Sequence, residues 1–375
     1  MPSLPVVDHR PSRFASFVGV DLHKCSVTLV AVNPAGEETA ALTAPTKCVQ
    51  RIADWLKAQP RPCHMAVETV GFVEWFIERF RSCVDRIDIA HATELAHLRG
   101  KRRKNDHNDA LDVGQRLSRG QCPLGWLADD QLMQLRKLGR HWHALSRTLS
   151  RAKHCMRSIL LAANLAGPHL DSPCAQKWFL AHSHLLHEVQ RQAFADFLDV
   201  ICLLERQRES LRRRIFFANR QQRFVALVEL LKSLPGIDEI WACIIAAEIG
   251  DFTRFPNADA LQFWAGLTPD NLTSAGRTQA GHITKAGSRS LRWALGKAAL
   301  TLCRSDARQE ALRQRLIQRV GKPKANVAMA RRLLGILFAM VRDGCIYQGQ
   351  EPTGHERKAN QARLRRSRAL RKEAA

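Results

Sequence analysis

Tyrosine is nearly missing: Tyr347 is the only one in 375 residues, and aromatics make up 6% of the chain. This scarcity argues against a tyrosine nucleophile and against a surface built of base-stacking platforms. Long apolar runs are missing too. Residues 333–341 form the longest strongly apolar uncharged stretch near the C-terminus, half of the about 20 residues that a membrane span needs. Asp21 and Lys24 interrupt the first apolar stretch, so no export signal is expected there. The 11 cysteines are scattered, form no CxxC pair and are odd in number. That pattern argues against zinc ribbons and disulfide frameworks and points to a reducing cytoplasm. Acidic residues are few, 35 against 58 Lys plus Arg, for a net charge of +23. Small soluble domains usually carry a charge of about 2–8. The excess implies a polyanionic partner, of which nucleic acid is the commonest. What remains is a globular composition, 45% hydrophobic, with length for two or three domains at about 150 residues each.

Residues 1–16 read as a polar, proline-containing lead. Phe17 to Val32 reads as two β-rich runs around a polar turn. Residues 49–58 suit a short helix closed by Pro60 and Pro62, and residues 64–69 a strand. An amphipathic helix is expected from Gly71 to Phe80, with Phe72, Phe76 and Phe80 at spacing four. Residues 87–90 suit another strand, and a helix carries 105–110. This alternation predicts an α/β domain over 17–125. Over 126–229 strand signals vanish. Two long helical stretches flank Gly167, Pro168 and Pro173, and their loosely heptad spacing predicts a coiled-coil-like arm suited to oligomerisation. Residues 230–348 read as mainly helical, interrupted by a Ser/Thr/Gly-rich loop from Thr268 to Gly287. Leu234-Pro-Gly-Ile237 resembles a helix-hairpin-helix turn, which presents backbone N–H groups to phosphate. His182, His184 and His187 lack an acidic anchor and read as helix surface. Residues 349–375 form a basic tail, expected to order on nucleic acid.

Four acids stand out. Asp21 lies within an apolar strand and Glu68 ends another; Asp106 and Asp109, three apart, share one helix face. A charge within a strand core is costly unless paired or bound to metal. Carboxylate oxygens are what Mg²⁺ and Mn²⁺ prefer. Two such ions about 3.5–4 Å apart can clamp the attacking and leaving oxygens of a phosphodiester. Lys101, Arg102, Arg103 and Lys104 stand just upstream of the helix, suited to a substrate phosphate.

In this setting Val18-Gly-Val-Asp21, Ala66-Val-Glu68 and Lys104-Asn-Asp106-His-Asn-Asp109-Ala are similar to the three acidic blocks of the DEDD-type insertion-sequence 110 family of transposases. The resemblance implies an N-terminal RuvC-like domain of the RNase H superfold. It implies Asp21, Glu68, Asp106 and Asp109 as ligands of Mg²⁺ or Mn²⁺.

A second block comprises Trp264-Ala-Gly-Leu-Thr-Pro269, Ser274-Ala-Gly-Arg277 and Gly281-His-Ile-Thr-Lys285-Ala-Gly287, followed by Leu291-Arg292. Its small residues admit close backbone approach. Arg277, Lys285, Arg289 and Arg292 surround it. A serine hydroxyl among such cations can attack a phosphodiester once a base or metal activates it. The block resembles the C-terminal domain of the same transposases, in which a serine before a Gly-containing turn is the nucleophile. Anchored on Ile283-Thr-Lys-Ala-Gly287, the alignment favours Ser274 over Thr273. The chain departs from the family's usual Ser-Gly and Ile-Ser-Lys at Ala275 and Thr284.

The resemblance implies a DNA transposase or recombinase that forms a covalent phosphoserine. It implies an element-encoded guide RNA and a dimer or tetramer, with both domains contributing to one active site. The residues alone support a metal-dependent nucleic-acid enzyme. Two other readings stay open: a RuvC-like nuclease or junction resolvase that uses water, and a non-catalytic nucleic-acid-binding protein with structural carboxylates.

Overall fold

The computed structural model describes residues 13–68, 71–99, 105–220, 222–274, 277–285 and 287–349. The chain divides between Ala128 and Asp129 into two compact units. The basic run at 101–104 and the tail beyond 349 lie outside the described residues.

The first unit is built on a six-stranded mixed sheet. Its elements are β1 (Ser16–Leu22), β2 (Ser26–Val32), β3 (Glu38–Pro45), α1 (Val49–Lys57), β4 (Cys63–Glu68), α2 (Val73–Phe80), β5 (Arg86–Ala90), α3 (Ala92–Arg99), α4 (Asp106–Ser118) and β6 (Leu124–Gly125). The strand order is β3-β2-β1-β4-β5-β6. β1 pairs antiparallel with β2 and parallel with β4, and β4 pairs parallel with β5. Side chains alternate between faces along each strand. Val18, Val20 and Leu22 face one way, with Met65 and Val67, onto Ile52, Leu56, Phe76 and Phe80 of α1 and α2. Phe17, Val30, Val32 and Ala66 face the other way, onto Ala110, Val113 and Leu117 of α4. The apolar strand runs are read correctly from the sequence. β3 and α3 are additions to that reading: β3 has exposed residues at every other place along much of its length and is recruited by pairing to β2.

Gly19 stands in the middle of β1, on the α4 face. A Cβ there would lie 2.0 Å from the Ala110 carbonyl oxygen, 2.4 Å from the Gly114 nitrogen and 3.0 Å from the Val113 Cβ. Strand and helix backbones are thus in direct contact.

The second unit is mostly helical: α5 (Asp130–Ala162), α6 (Ser172–His182), α7 (Glu188–Asn219), α8 (Gln222–Lys232), α9 (Glu239–Ile249), α10 (Ala258–Trp264), β7 (Pro269–Ser274), β8 (Arg277–Ile283), α11 (Arg289–Ser305), α12 (Ala307–Val320) and α13 (Lys322–Asp343). Leu149, Met156 and Leu160 of α5 pack on Phe194, Leu198 and Ile201 of α7. α9 is buried along nearly its whole length, from Ile240 to Ile249, and packs against α5, α8 and α11. An all-round apolar helix must be enclosed in this way.

The loop expected from Thr268 to Gly287 is corrected: β7 and β8 form an antiparallel hairpin. Its Gly, Ser and Thr residues carry little strand signal, and the two strands pair only with each other. The Leu234–Ile237 turn does join two helices, α8 and α9. Gly236 adopts φ +101°, and a Cβ there would lie 2.8–3.0 Å from Thr301, Ala298 and Leu302 of α11, so the turn is packed down on that helix. No described helix is long and apolar enough to cross a membrane.

The Gly19 contact predicts that Gly19→Ala lowers stability by about 2 kcal/mol or more, because backbone atoms rather than flexible side chains must give way. Gly114→Ala, whose Cβ would meet nothing nearer than 3.3 Å, should cost clearly less. Urea unfolding of the two variants checks the order.

Candidate active site

The four predicted acids converge at one end of the sheet. Val20 of β1 pairs with Val67 of β4, so the next residues, Asp21 and Glu68, stand side by side at the ends of parallel neighbouring strands. Both follow the alternation that places Gly19 and Ala66 on the α4 face. On α4, Asp106 and Asp109 continue the stripe of Ala110, Val113, Gly114 and Leu117 that packs on the sheet. The stripe runs past the strand ends, so the two acids overhang Asp21.

The start of α4 is set locally. Asn105 is the N-cap, its side chain accepting a hydrogen bond from the His107 N–H. Aspartates in a first turn are favoured by the helix dipole. His107 Nε2 also reaches Glu38 Oε1 on β3 at 3.1 Å.

The electrostatics at the site favour a cation. The Asp21 side chain is 13% exposed. Burial pushes its carboxyl above the usual carboxylate range; His23 opposes this, while Asp106, Glu68 and Asp109 add to it. All three other acids therefore act on Asp21 through space. His23 Nε2 lies 3.2 Å from Asp21 and 3.5 Å from Asp106. Asp21, His23 and Asp106 offer ligand atoms within 4.8 Å of one another, the only such group of three or more His, Cys, Asp or Glu among the described residues. Two carboxylates and an imidazole suit a hard or borderline divalent cation.

His23, Arg99 and Asp112 escaped the sequence reading. Arg99 ends α3 and donates to Glu68 and Asp112. Burial opposes its charge, but Asp112, Glu68 and Asp109 outweigh that and hold its pKa above the ordinary value. The available signals were slight: His23 lies two residues after Asp21, and Asp112 repeats the Asp106–Asp109 spacing.

The serine block lies in the second unit. Ser274 ends β7 and is paired with Arg277, the first residue of β8. Lys285 is exposed and adopts φ +56° just beyond the hairpin. Its N–H donates to the Gly266 carbonyl. Arg289 is exposed at the start of α11. Arg292 Nη1 donates to the carbonyls of Ala265 and Gly287, at 3.1 and 2.5 Å, and so ties α11 to the chain on both sides of the hairpin. Nearby, His143 of α5 is hydrogen-bonded to Ser290 at 2.9 Å and stacked on Trp293. Both contacts anchor the first turns of α11.

Comparison with known proteins gives two family matches, the first of which extends beyond Ala128 through α5. A family described as a transposase, of the DEDD type of IS110 elements, matches residues 18–164. A second, described as the IS116/IS110/IS902 transposase family, matches residues 228–314. An insertion element IS110 protein of Streptomyces coelicolor, named as uncharacterized, is 33% identical over 132 residues, 35% of this chain and 32% of that protein. An insertion element IS116 protein of Streptomyces clavuligerus, also named as uncharacterized, is 27% identical over 125 residues, 33% of this chain and 31% of that protein. The chain thus aligns with about a third of the length of these two relatives. A protein named "Probable family 20 transposase" from Pseudomonas aeruginosa is 24% identical over 309 residues, 80% of this chain and 90% of that protein.

The raised Asp21 pKa has a stability consequence. A carboxyl whose folded-state pKa is raised stabilises the fold at low pH and loses that contribution as pH rises through the folded value. Asp21→Asn removes this loss. With a chelator present, the variant should melt above the parent near pH 7, and the gap should close as the pH falls toward 3.8, the ordinary value. Thermal melts across this range check it.

Proposed function

We propose, for a chain that belongs to the IS110/IS116/IS902 family of insertion-element transposases, that it cuts and rejoins DNA strands with two pieces of chemistry. One is a divalent-metal centre on Asp21, Glu68, Asp106 and Asp109. The other is a serine nucleophile, Ser274, that becomes joined to DNA. An RNA from the same element directs the protein to its DNA.

The observation that carries this reading is the convergence of four acids, distant in sequence, on one sheet end where burial and mutual repulsion disfavour the Asp21 anion. A group of like charges is maintained there against its own electrostatics, which is typical of functional sites. The sheet order supports a RuvC-like, RNase H-type domain, with β2 antiparallel to β1 and β1, β4 and β5 parallel. The donor set fits Mg²⁺ or Mn²⁺. A cation held there stabilises the negative charge that develops on a phosphodiester under attack. The four acids would form its setting, with Asp21 and Asp106 drawn together beside His23 and Arg99 bonded to Glu68 and 3.7 Å from the Asp109 carboxylate.

In the second unit, Ser274 ends β7 and pairs with Arg277 of β8. Attack by the hydroxyl forms a serine–phosphate ester and releases the other strand end as a hydroxyl; reversal of that step rejoins DNA. Lys285 and Arg289 supply exposed positive charge close by in sequence. Lys101, Arg102, Arg103, Lys104 and Arg277 complete the phosphate-binding set in this reading. Exposed apolar residues on the helical arm, Leu180, Val189 and Phe217 among them, support a dimer or tetramer.

Ser274→Ala should abolish a denaturant-resistant protein–DNA adduct and lower strand transfer by roughly 10³-fold or more, while DNA affinity stays within about twofold of the parent. Denaturing gels of the trapped complex, with filter binding in parallel, check this. An adduct that survives would overturn the serine assignment. Unchanged strand cleavage with no adduct in either protein would favour the water-using nuclease. Affinity should also fall by about 10³–10⁵ between 50 and 200 mM salt, as several neutralised phosphates require.

A further inference from the structure

Arg99 divides the four acids into two pairs. Its Nη1 donates to Glu68 Oε2 at 3.0 Å and lies 3.7 Å from Asp109 Oδ1. Its Nη2 donates to the Asp109 carbonyl oxygen at 3.0 Å. Its Nε donates to Asp112 Oδ2 at 3.0 Å. Nε and Nη2 thus bond to α4, and Nη1 bonds to Glu68 at the end of β4. Asp112 is itself fixed by Arg116 Nε, 2.9 Å from both of its oxygens. The Arg99 side chain is only 14% exposed. Asp21 and Asp106 form the other pair and share His23 instead.

Two divalent ions about 3.5–4 Å apart draw on a shared set of carboxylates. An arginine cannot serve as a ligand, because it offers donors and no acceptor. Nor can it step aside by losing its charge, since it stays protonated at any working pH. A cation approaching Glu68 and Asp109 therefore meets a permanent positive charge already bonded to both residues and clamped from behind by Asp112.

Building on the metal-centre reading above, we propose that Arg99 stands in for a second divalent cation: the centre takes one ion, at Asp21, Asp106 and His23, and the guanidinium excludes another from Glu68 and Asp109. Arg99 is a positioning residue in this arrangement. It bonds the Glu68 carboxylate, lies 3.7 Å from that of Asp109 and supplies the second positive charge from the protein itself. Asp112, one helical turn beyond Asp109, is the anchor that keeps it there.

The test is Mn²⁺ stoichiometry by equilibrium dialysis of the full chain, with the count for an Asp21→Asn/Asp106→Asn double variant subtracted to remove ions bound elsewhere. The parent and Arg99→Lys, which keeps the charge, should each bind one ion. Arg99→Gln, close in shape and neutral, should bind two. Two ions on the parent, or one on a folded Arg99→Gln, would overturn the proposal and leave the metal centre standing. No ion on the parent would instead remove the metal centre. Circular dichroism reports whether Arg99→Gln folds. If it does not, Asp112→Asn, which loosens the guanidinium without deleting it, should admit the second ion at higher Mn²⁺, and its failure to do so at saturation overturns the proposal.

Discussion

The close approach of α4 to β1 at Gly19 is the constraint on which the acidic centre depends. A strand residue with any side chain would hold the helix away, because the space a Cβ needs is already filled by the Ala110 carbonyl and the Gly114 nitrogen. With the two backbones touching, the buried stripe of α4 falls into register over the sheet, and its first turn passes the end of β1. Asp106 and Asp109 are then delivered next to Asp21. The same contact sets the height of the helix over β4, and so the relation of both aspartates to Glu68.

Gathering four carboxylates has an electrostatic cost, and the structure meets it in stages. The helix dipole favours Asp106 and Asp109 in the first turn of α4. Arg99 compensates Glu68, Asp109 and Asp112. His23 lies between Asp21 and Asp106. Even so, Asp21 remains a carboxyl that burial and its neighbours disfavour as an anion. The site trades stability for a standing affinity for positive charge. Arg99 and Asp112 bring α3 and α4 into the same network, so the elements that carry the acids are also the elements that neutralise them.

The second unit solves a different problem, the presentation of a short hairpin that pairs with nothing but itself. Its base is held by α11. Arg292 bonds to carbonyls on both sides of the hairpin, and the His143–Ser290 bond with the Trp293 stack holds the start of α11 to α5. Gly287 belongs to the same construction, since a Cβ there would lie 2.3 Å from the Trp264 carbonyl oxygen. Arg292, read from sequence as one more cation for phosphate, has its Nη1 engaged in this framework. Lys285 and Arg289 are the described cations near the hairpin that remain exposed.

The sequence by itself determined the division into a mixed α/β part and a helical remainder, because alternation in Phe17–Val32 and helical spacing elsewhere are local properties of the chain. It also determined the four acids as a set, since each sits in a recognisable block: a charge inside or at the end of an apolar strand, or a pair three apart on a helix. Only the tertiary structure decided which cations face them. His23 joins Asp21 and Asp106 because the turn after β1 comes to lie beside the start of α4. Arg99 reaches Glu68, 31 residues away in sequence, because α3 ends beside β4. Likewise, β3 and the β7–β8 hairpin carry weak intrinsic patterns and exist through pairing with a partner strand. Pairing, burial and charge compensation are relations between distant segments, and no window of sequence contains both of their terms.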